Sequence, residues 1–342
     1  MAIVGVCGNG YSGSGAVLDL LREYDNCIDV CGEKEFIFPY VPDGVNDLYY
    51  HLSVCPARFQ SSDVAIKRFH DTINRLIDSE WNTGVSNKMK CVTEKFLDNI
   101  VQVEWNGYWA IDVLEQQENI VKYVLFRLRR KLYSLTNQRF PMIKERKMNL
   151  SIHPEKFMQF AKAYLMELLA AQREIDCYEK NLVLNQPFPA NNPEPFMKYF
   201  DNAKCIIVYR DPRDTYLLLK NVQNYNSRWF PHDNVDSFIT YYQLLHDSLQ
   251  QLKENKDILV IRFENLIYNY NSSVLEIEKF IGNLGNHIMP KKYFLPDVSK
   301  NNTQLYKHYT GYNDDIMSIE KNLSSFLYDF SDKECVYNKS IF

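Results

Sequence analysis

The densest chemistry in this chain lies near its amino terminus, in Gly8-Asn9-Gly10-Tyr11-Ser12-Gly13-Ser14-Gly15. An apolar run, 3–7, with strand character precedes the loop, and Ala16, Val17, Leu20 and Leu21 follow at helical spacing. Small residues let successive amides turn inward as an anion nest, and a helix start adds unpaired N–H groups and the positive end of its dipole. The segment therefore predicts a phosphate site, with Ser12 and Ser14 as hydroxyl donors; the alternative is a plain glycine-rich turn.

The loop lacks the Gly-Lys-Ser/Thr ending of kinases and NTPases, in which lysine bridges the terminal phosphates and the hydroxyl holds magnesium, because Gly13 is followed by Ser14. Its glycines also miss the dinucleotide fingerprint spacing, and Asp29 and Glu33 lack a clear ribose-binding context. A second signal is Tyr209-Arg210-Asp211-Pro212-Arg213-Asp214, at the end of the apolar run 205–209. Arg210 is expected to emerge over the carboxyl edge of a sheet, where a planar guanidinium can pair two phosphate oxygens. Asp214, four residues on, either orients Arg210 or caps a helix, and Arg213 is either a nucleotide contact or a surface ion-pair partner.

These groups need a scaffold, and the apolar runs supply one. Short runs at 3–7, 182–184, 205–209 and 258–261 read as buried parallel strands, with another short strand at 27–30. Residues 33–44 carry two prolines and an Asp-Gly turn and read as a loop near the phosphate end of the sheet. The middle is mixed, with helical pieces at 48–52, 71–78 and 108–117 and a strand at 121–126. Residues 127–149 form the one pronounced basic run, either a solvated surface or an anion-facing patch. Phe157, Phe160, Ala161, Tyr164, Leu165, Leu168 and Leu169 make the most regular helical stripe. A single domain over 1–342 is expected, with a basic and helical insertion at 127–181.

The 342 residues suffice for one large α/β domain, and the 46% hydrophobic and 24% charged fractions are those of a globular protein. A formal charge of −4 argues against a dedicated nucleic-acid binder. The amino terminus turns glycine-rich before reaching signal-peptide or membrane-spanning length, so neither is expected. Eight scattered cysteines are read as reduced thiols of a cytoplasmic protein, and Cys27 and Cys31 lack the second pair of a structural zinc site.

Together, CGNGYSGSGAVLDLL and CIIVYRDPRD resemble the sulfotransferases that use 3'-phosphoadenosine 5'-phosphosulfate (PAPS). The first is similar to that family's 5'-phosphosulfate loop and the second to its 3'-phosphate-binding strand and turn. VIRFENLIYN resembles the Glu-Asx-Leu segment after a later strand, and FLPDVSKNNTQLY resembles the polar segment that closes over the cofactor in bacterial and carbohydrate-directed members. The resemblance implies an α/β P-loop three-layer fold with a central, mainly parallel sheet and a helical acceptor-binding insertion. It implies in-line sulfuryl transfer to a hydroxyl of a saccharide, glycolipid or small molecule, without metal. Gly10, Tyr11, Ser12, Gly13, Ser14 and Gly15 would wrap the phosphosulfate, Arg210 would hold the 3'-phosphate with Asp214 beside it, and Lys300 would approach from the later segment.

Three positions depart from the pattern. Tyr11 stands where a basic residue is common, Leu218 stands where a serine is common, and Leu184-Asn185-Gln186-Pro187 lacks the histidine base of animal cytosolic members. Ser227 or a backbone amide would replace the serine contact, or nothing does. Gly32-Glu33-Lys34-Glu35-Phe36 is similar to the base-bearing segment of bacterial trehalose-type enzymes, which makes Glu35 the first candidate base. His70 is a second candidate, and Lys67 or Arg68 would restore the missing positive charge, if 65–70 ends a strand. A P-loop kinase-like phosphotransferase and a noncatalytic nucleotide- or glycan-binding protein are the alternative functions.

Overall fold

Strand β1 (Ile3–Gly8) buries Ile3, Val4, Val6 and Cys7 almost completely, as a central strand covered on both faces must. The computed structural model describes residues 1–57, 59–80, 85–136, 143–172, 180–221 and 228–335. Its other strands are β2 (Cys27–Asp29), β3 (Val103–Gly107), β4 (Arg146–Leu150), β5 (Asn181–Asn185), β6 (Ala203–Tyr209) and β7 (Ile258–Arg262). The chain divides into two compact units, Met1–Pro39 with Gln172–Phe342, and Tyr40–Ala171. The stretch 127–181 is thus shared between them.

The first unit is built on a five-stranded parallel sheet of order β2-β5-β1-β6-β7. The chain leaves β1 through the glycine loop into the helix Ser14–Leu21, whose Val17, Leu18, Leu20 and Leu21 pack in one core with Val4 and Val6 of β1, Val208 of β6 and Ile261 of β7. Helices Phe263–Tyr268 and Tyr270–Ile281 complete that layer through Leu266, Ile277 and Ile281. Because the strands run in parallel, the segments leaving β1, β5, β6 and β7 all emerge at one carboxyl edge, the usual place for a ligand in such folds.

The second unit is helical, with a two-stranded antiparallel sheet of β3 and β4. Its core gathers Phe69 of helix Phe59–Glu80, Phe96 of helix Ser86–Ile100 and Tyr164 of helix Phe157–Gln172, with Phe96 stacked on Tyr164 at 4.5 Å. Two expectations are corrected here. Residues 65–70 lie inside the long helix rather than at a strand end, because Phe69, Ile73 and Ile77 recur every four residues on its buried face. Residues 121–126 belong to the helix Ile120–Leu135, whose apolar positions follow a helical period that its β-branched start disguises.

Arg146 heads β4 and ties the unit together: its guanidinium meets the buried Asp63 at 2.5 Å and Asp112 at 2.7 Å. The basic run is therefore dispersed, with Arg146 engaged internally, Lys147 paired with Glu104 at 2.6 Å and Arg127 to Lys131 on an exposed helix. Arg139, Trp81, Cys177 and Ser227 lie outside the described residues.

Candidate functional site

The glycine loop turns sharply enough that two of its residues take left-handed backbone angles, Tyr11 at φ 61° and Gly13 at φ 86°. Gly13 must be glycine on packing grounds too, since a Cβ there would fall 2.3 Å from the Phe263 ring. Gly10 is similarly confined, because its Cβ would strike the Phe230 ring at 2.1 Å. Gly15, in the first turn of the helix, has open space beside it. Tyr11 uses its ring for packing, edge-on to Phe230 at 6.0 Å.

Gln186, just beyond β5, braces this loop: its Nε2 donates to the Gly8 carbonyl at 3.0 Å and its Oε1 accepts the Gly8 N–H at 3.1 Å. The same Nε2 lies 3.5 Å from Ser14 Oγ. From the other side, Asn9 meets the buried His246, whose Nδ1 faces the Tyr242 carbonyl at 2.7 Å. Burial pushes that imidazole down to about 4 and keeps it neutral.

Arg210 reaches the loop from the end of β6. Its Nη1 donates to the Tyr11 carbonyl at 3.4 Å and its guanidinium lies 4.8 Å from the centre of the Phe263 ring. The residue is 4% exposed, and both Nε and Nη2 are buried without a protein partner, as is Ser12 Oγ. Buried donors left over in this way ask for a ligand acceptor. Burial lowers the pKa of Arg210, opposed first by the charge of Asp214 and then by Glu264 and Asp211. Glu264, the acid of the RFENL segment, accepts the Asp211 N–H at 2.8 Å, and burial followed by repulsion from Asp211 pushes it up to about 7.

Arg213 and Asp214 have other partners. Arg213 forms a two-pronged pair with Asp211, reaches Glu320 at 2.9 Å and stacks 4.1 Å from the centre of Tyr306. Asp214 accepts the backbone N–H groups of Gln304 and Leu305 at 2.9 and 2.8 Å, so it anchors the later segment; burial raises its pKa. The other end of that segment is held by Glu23, which is fully buried and accepts the N–H groups of Lys291, Tyr293 and Phe294. Burial alone would raise the Glu23 pKa, but the His287 and backbone hydrogen bonds win and lower it.

The segment pinned by these two acids walls a cleft of about 380 Å³ whose lining includes Tyr11, Gly13, Gly15, Arg210, Leu218 and Asn302. Gly10, Ser12 and Ser14 belong to the loop but not to that lining. Lys300 sits on the wall paired with Asp297 at 2.9 Å, while its neighbours Ser299 and Asn302 face the cleft. Glu35 is exposed in the loop after β2, and that loop is fastened to the carboxyl end of β5 by Phe36 N–H to the Asn185 carbonyl at 2.8 Å. In the second unit, Lys67 pairs with Glu115 at 2.7 Å and His70 with Glu94 at 2.7 Å, both on the long helix.

Sequence reasoning missed Glu23, Gln186, Tyr242 and His246. Glu23 sits in an ordinary helix end, Gln186 in a proline turn, and the aromatic pair in one amphipathic helix; none carries a local motif. Among the described residues no group of three or more His, Cys, Asp or Glu side chains is arranged to hold a metal, and no helix is long and apolar enough to cross a membrane.

A parallel α/β sheet with a glycine loop after its central strand, and an under-satisfied buried arginine at the neighbouring strand end, defines an α/β protein with a candidate anion site at one sheet edge. Residues 93–283, more than half of the chain, match the model of the Sulfotransferase family, and the chain belongs to that family. The matched range contains Arg210 and Glu264; the glycine loop lies before it. Among solved structures the chain is similar to the sulfotransferase domain from the Synechococcus PCC 7002 olefin synthase, at 13% identity over 96% of this chain and 95% of that one, with a TM-score of 0.39. It is also similar to sulfotransferase STF9 from Mycobacterium avium, at 11% identity over 98% of this chain and 78% of that one, with a TM-score of 0.38. No curated protein sequence matches it.

Proposed function

We propose that this chain transfers a sulfuryl group from PAPS to a hydroxyl of a saccharide, glycolipid or other small acceptor. The observation that carries this reading is Arg210, a buried cation with two unpartnered nitrogens beside a loop whose Tyr11, Gly13 and Gly15 line the same cleft. Arg210 would take the 3'-phosphate, and the loop and the start of the helix Ser14–Leu21 would take the 5'-phosphosulfate. In the reaction the acceptor oxygen attacks sulfur, the bond from sulfur to the bridging phosphate oxygen breaks, and 3'-phosphoadenosine 5'-phosphate departs with the electron pair. The hydroxyl proton passes to a base, for which Glu35 is our assignment because its loop is fastened at the same sheet edge. Loop N–H groups would stabilise the charge that builds on the departing phosphate. His70 and Lys67 rank lower as participants, since each is engaged by a carboxylate on its own unit.

Calorimetry with 3'-phosphoadenosine 5'-phosphate and with adenosine 5'-phosphate tests the donor assignment. Arg210→Ala is expected to cost about 2 to 4 kcal/mol for the first ligand and much less for the second. Equal losses would make Arg210 a structural residue. For the base, Glu35→Gln should leave donor affinity intact and slow single-turnover transfer by on the order of 10² to 10⁴; an unchanged rate would return that role to His70 or to the substrate.

A further inference from the structure

The helix Ile120–Leu135 is attached to its unit by a narrow strip. Phe126 is buried and Tyr133 half-buried, and these two positions, seven residues apart, lie on one side. The opposite side carries Ile120, Val121, Val124, Leu125, Leu128, Leu132 and Leu135, each exposed by 48% or more. At 100° per residue they fill an arc of about 140°, far wider than a coiled-coil seam. Lys122 and Arg129 border this arc on one side and Arg127 on the other, with Lys131 just inside that second margin; Arg130 completes five cations in a helix without an acid, of which Lys122 also pairs with Glu118, just before the helix, at 3.0 Å. The whole chain, by contrast, has a formal charge of −4.

We propose that this helix docks the protein on an anionic lipid surface, lying flat with its aliphatic arc in the acyl boundary and its cations among the headgroup phosphates. At 16 residues it is about 24 Å long, and with five cations it suits the plane of the interface rather than a crossing. Long cationic stems at the margins of an apolar arc can lie along lipid while their charges reach phosphate. A protein groove would also accept aliphatic residues, but a positive border on both sides matches a continuous sheet of negative headgroups. The inference is independent of the donor and base assignments above.

Co-sedimentation of the full chain with vesicles of phosphatidylcholine, with and without phosphatidylserine, tests it. Binding should be at least tenfold tighter to the vesicles containing phosphatidylserine and should weaken as salt is raised. Val124→Ser with Leu128→Ser and Leu132→Ser should abolish it, and so should Arg129→Glu with Arg130→Glu. All five side chains are exposed, so far-UV circular dichroism and Tm should remain those of the parent. Absence of binding, or equal binding to both vesicle types, overturns the proposal. So does sedimentation velocity in lipid-free buffer showing a dimer that the serine variant dissociates, which would assign the arc to a second copy of this chain.

Discussion

The side-chain amide of Gln186 exchanges two hydrogen bonds with the backbone of Gly8, giving one to its carbonyl and taking one from its N–H. A side chain from the end of β5 thereby completes a ladder position that the glycine loop leaves open, and it fixes where the loop departs from β1. The arrangement separates two properties that usually fall together. Gln186→Leu removes both bonds without adding charge, whereas Gln186→Glu keeps the acceptor but loses the donor, sets a carboxylate oxygen against the Gly8 carbonyl and brings a negative charge toward Ser14 Oγ. Both variants should therefore lose stability, each by about 1 to 3 kcal/mol. Affinity for 3'-phosphoadenosine 5'-phosphate should fall more in the glutamate variant, by tenfold or more. Denaturant melts and calorimetry on the same preparations read the two effects; equal affinity losses in both variants would make Gln186 purely a packing residue.

Gly13 and Gly15 should respond differently to substitution. Gly13→Ala meets both a left-handed backbone and the Phe263 ring, so the fold should lose on the order of 1 to 3 kcal/mol. Gly15→Asp meets open space, and the helix Ser14–Leu21 has no acid in its first turn, so its stability should hold or rise by about 0.3 to 1 kcal/mol. The new carboxylate should nevertheless weaken nucleotide binding at least tenfold. A Gly15→Asp protein that binds normally would remove the loop from the phosphate site.

Glu264 links stability to pH. Its folded pKa of about 7 lies above the ordinary 4.5, so the folded state holds the proton more tightly than the unfolded chain. That stabilisation is complete below about pH 4.5 and is lost as pH rises toward 7, by on the order of 3 kcal/mol. Glu264→Gln retains the acceptor for the Asp211 N–H and cannot ionise. Its Tm should fall less steeply than the parent's between those pH values. Superimposable profiles would show that Glu264 does not carry the dependence.

Arg146 is expected to be the most sensitive surface-reaching residue of the second unit. Removing it leaves the fully buried Asp63 without its cation and Asp112 with only Lys67 at 4.0 Å, so Arg146→Ala should cost about 3 to 5 kcal/mol. Arg146→Ala with Asp63→Asn should recover part of that loss, because the stranded charge is gone. A loss below 1 kcal/mol in urea melts would show that water replaces the guanidinium at little cost.

Much of the first unit was legible because its signals are local. Apolar runs at 3–7, 182–184, 205–209 and 258–261 became four strands of the parallel sheet, and the glycine loop and Arg210 could be read as a pair, since each follows a strand whose carboxyl end must open on one edge. The second unit was less legible. Ala65-Ile66 and the β-branched start of 120–135 imitate strands over a few residues, and only the longer helical recurrence shows them as helices, in the first case with Phe69 packed on Phe96 and Tyr164. The basic run showed charge but no partners, so nothing local could reveal that Arg146 turns inward to Asp63, 83 positions earlier, while its neighbours on the helix face solvent.

The sequence by itself thus determined the strands and loops of the first unit and the chemistry each loop could offer, since hydrophobic period and glycine conformation act over a few residues. Tertiary structure alone decided which groups serve that chemistry. Glu23 and Asp214 hold the cleft wall from both ends, Gln186 and His246 flank the loop, and Arg210 keeps unpaired donors while Arg213, three residues on, spends its own on Asp211 and Glu320. The physical reason is that a buried polar group is defined by the partners that desolvation forces on it, and those partners come from elements far apart in the chain.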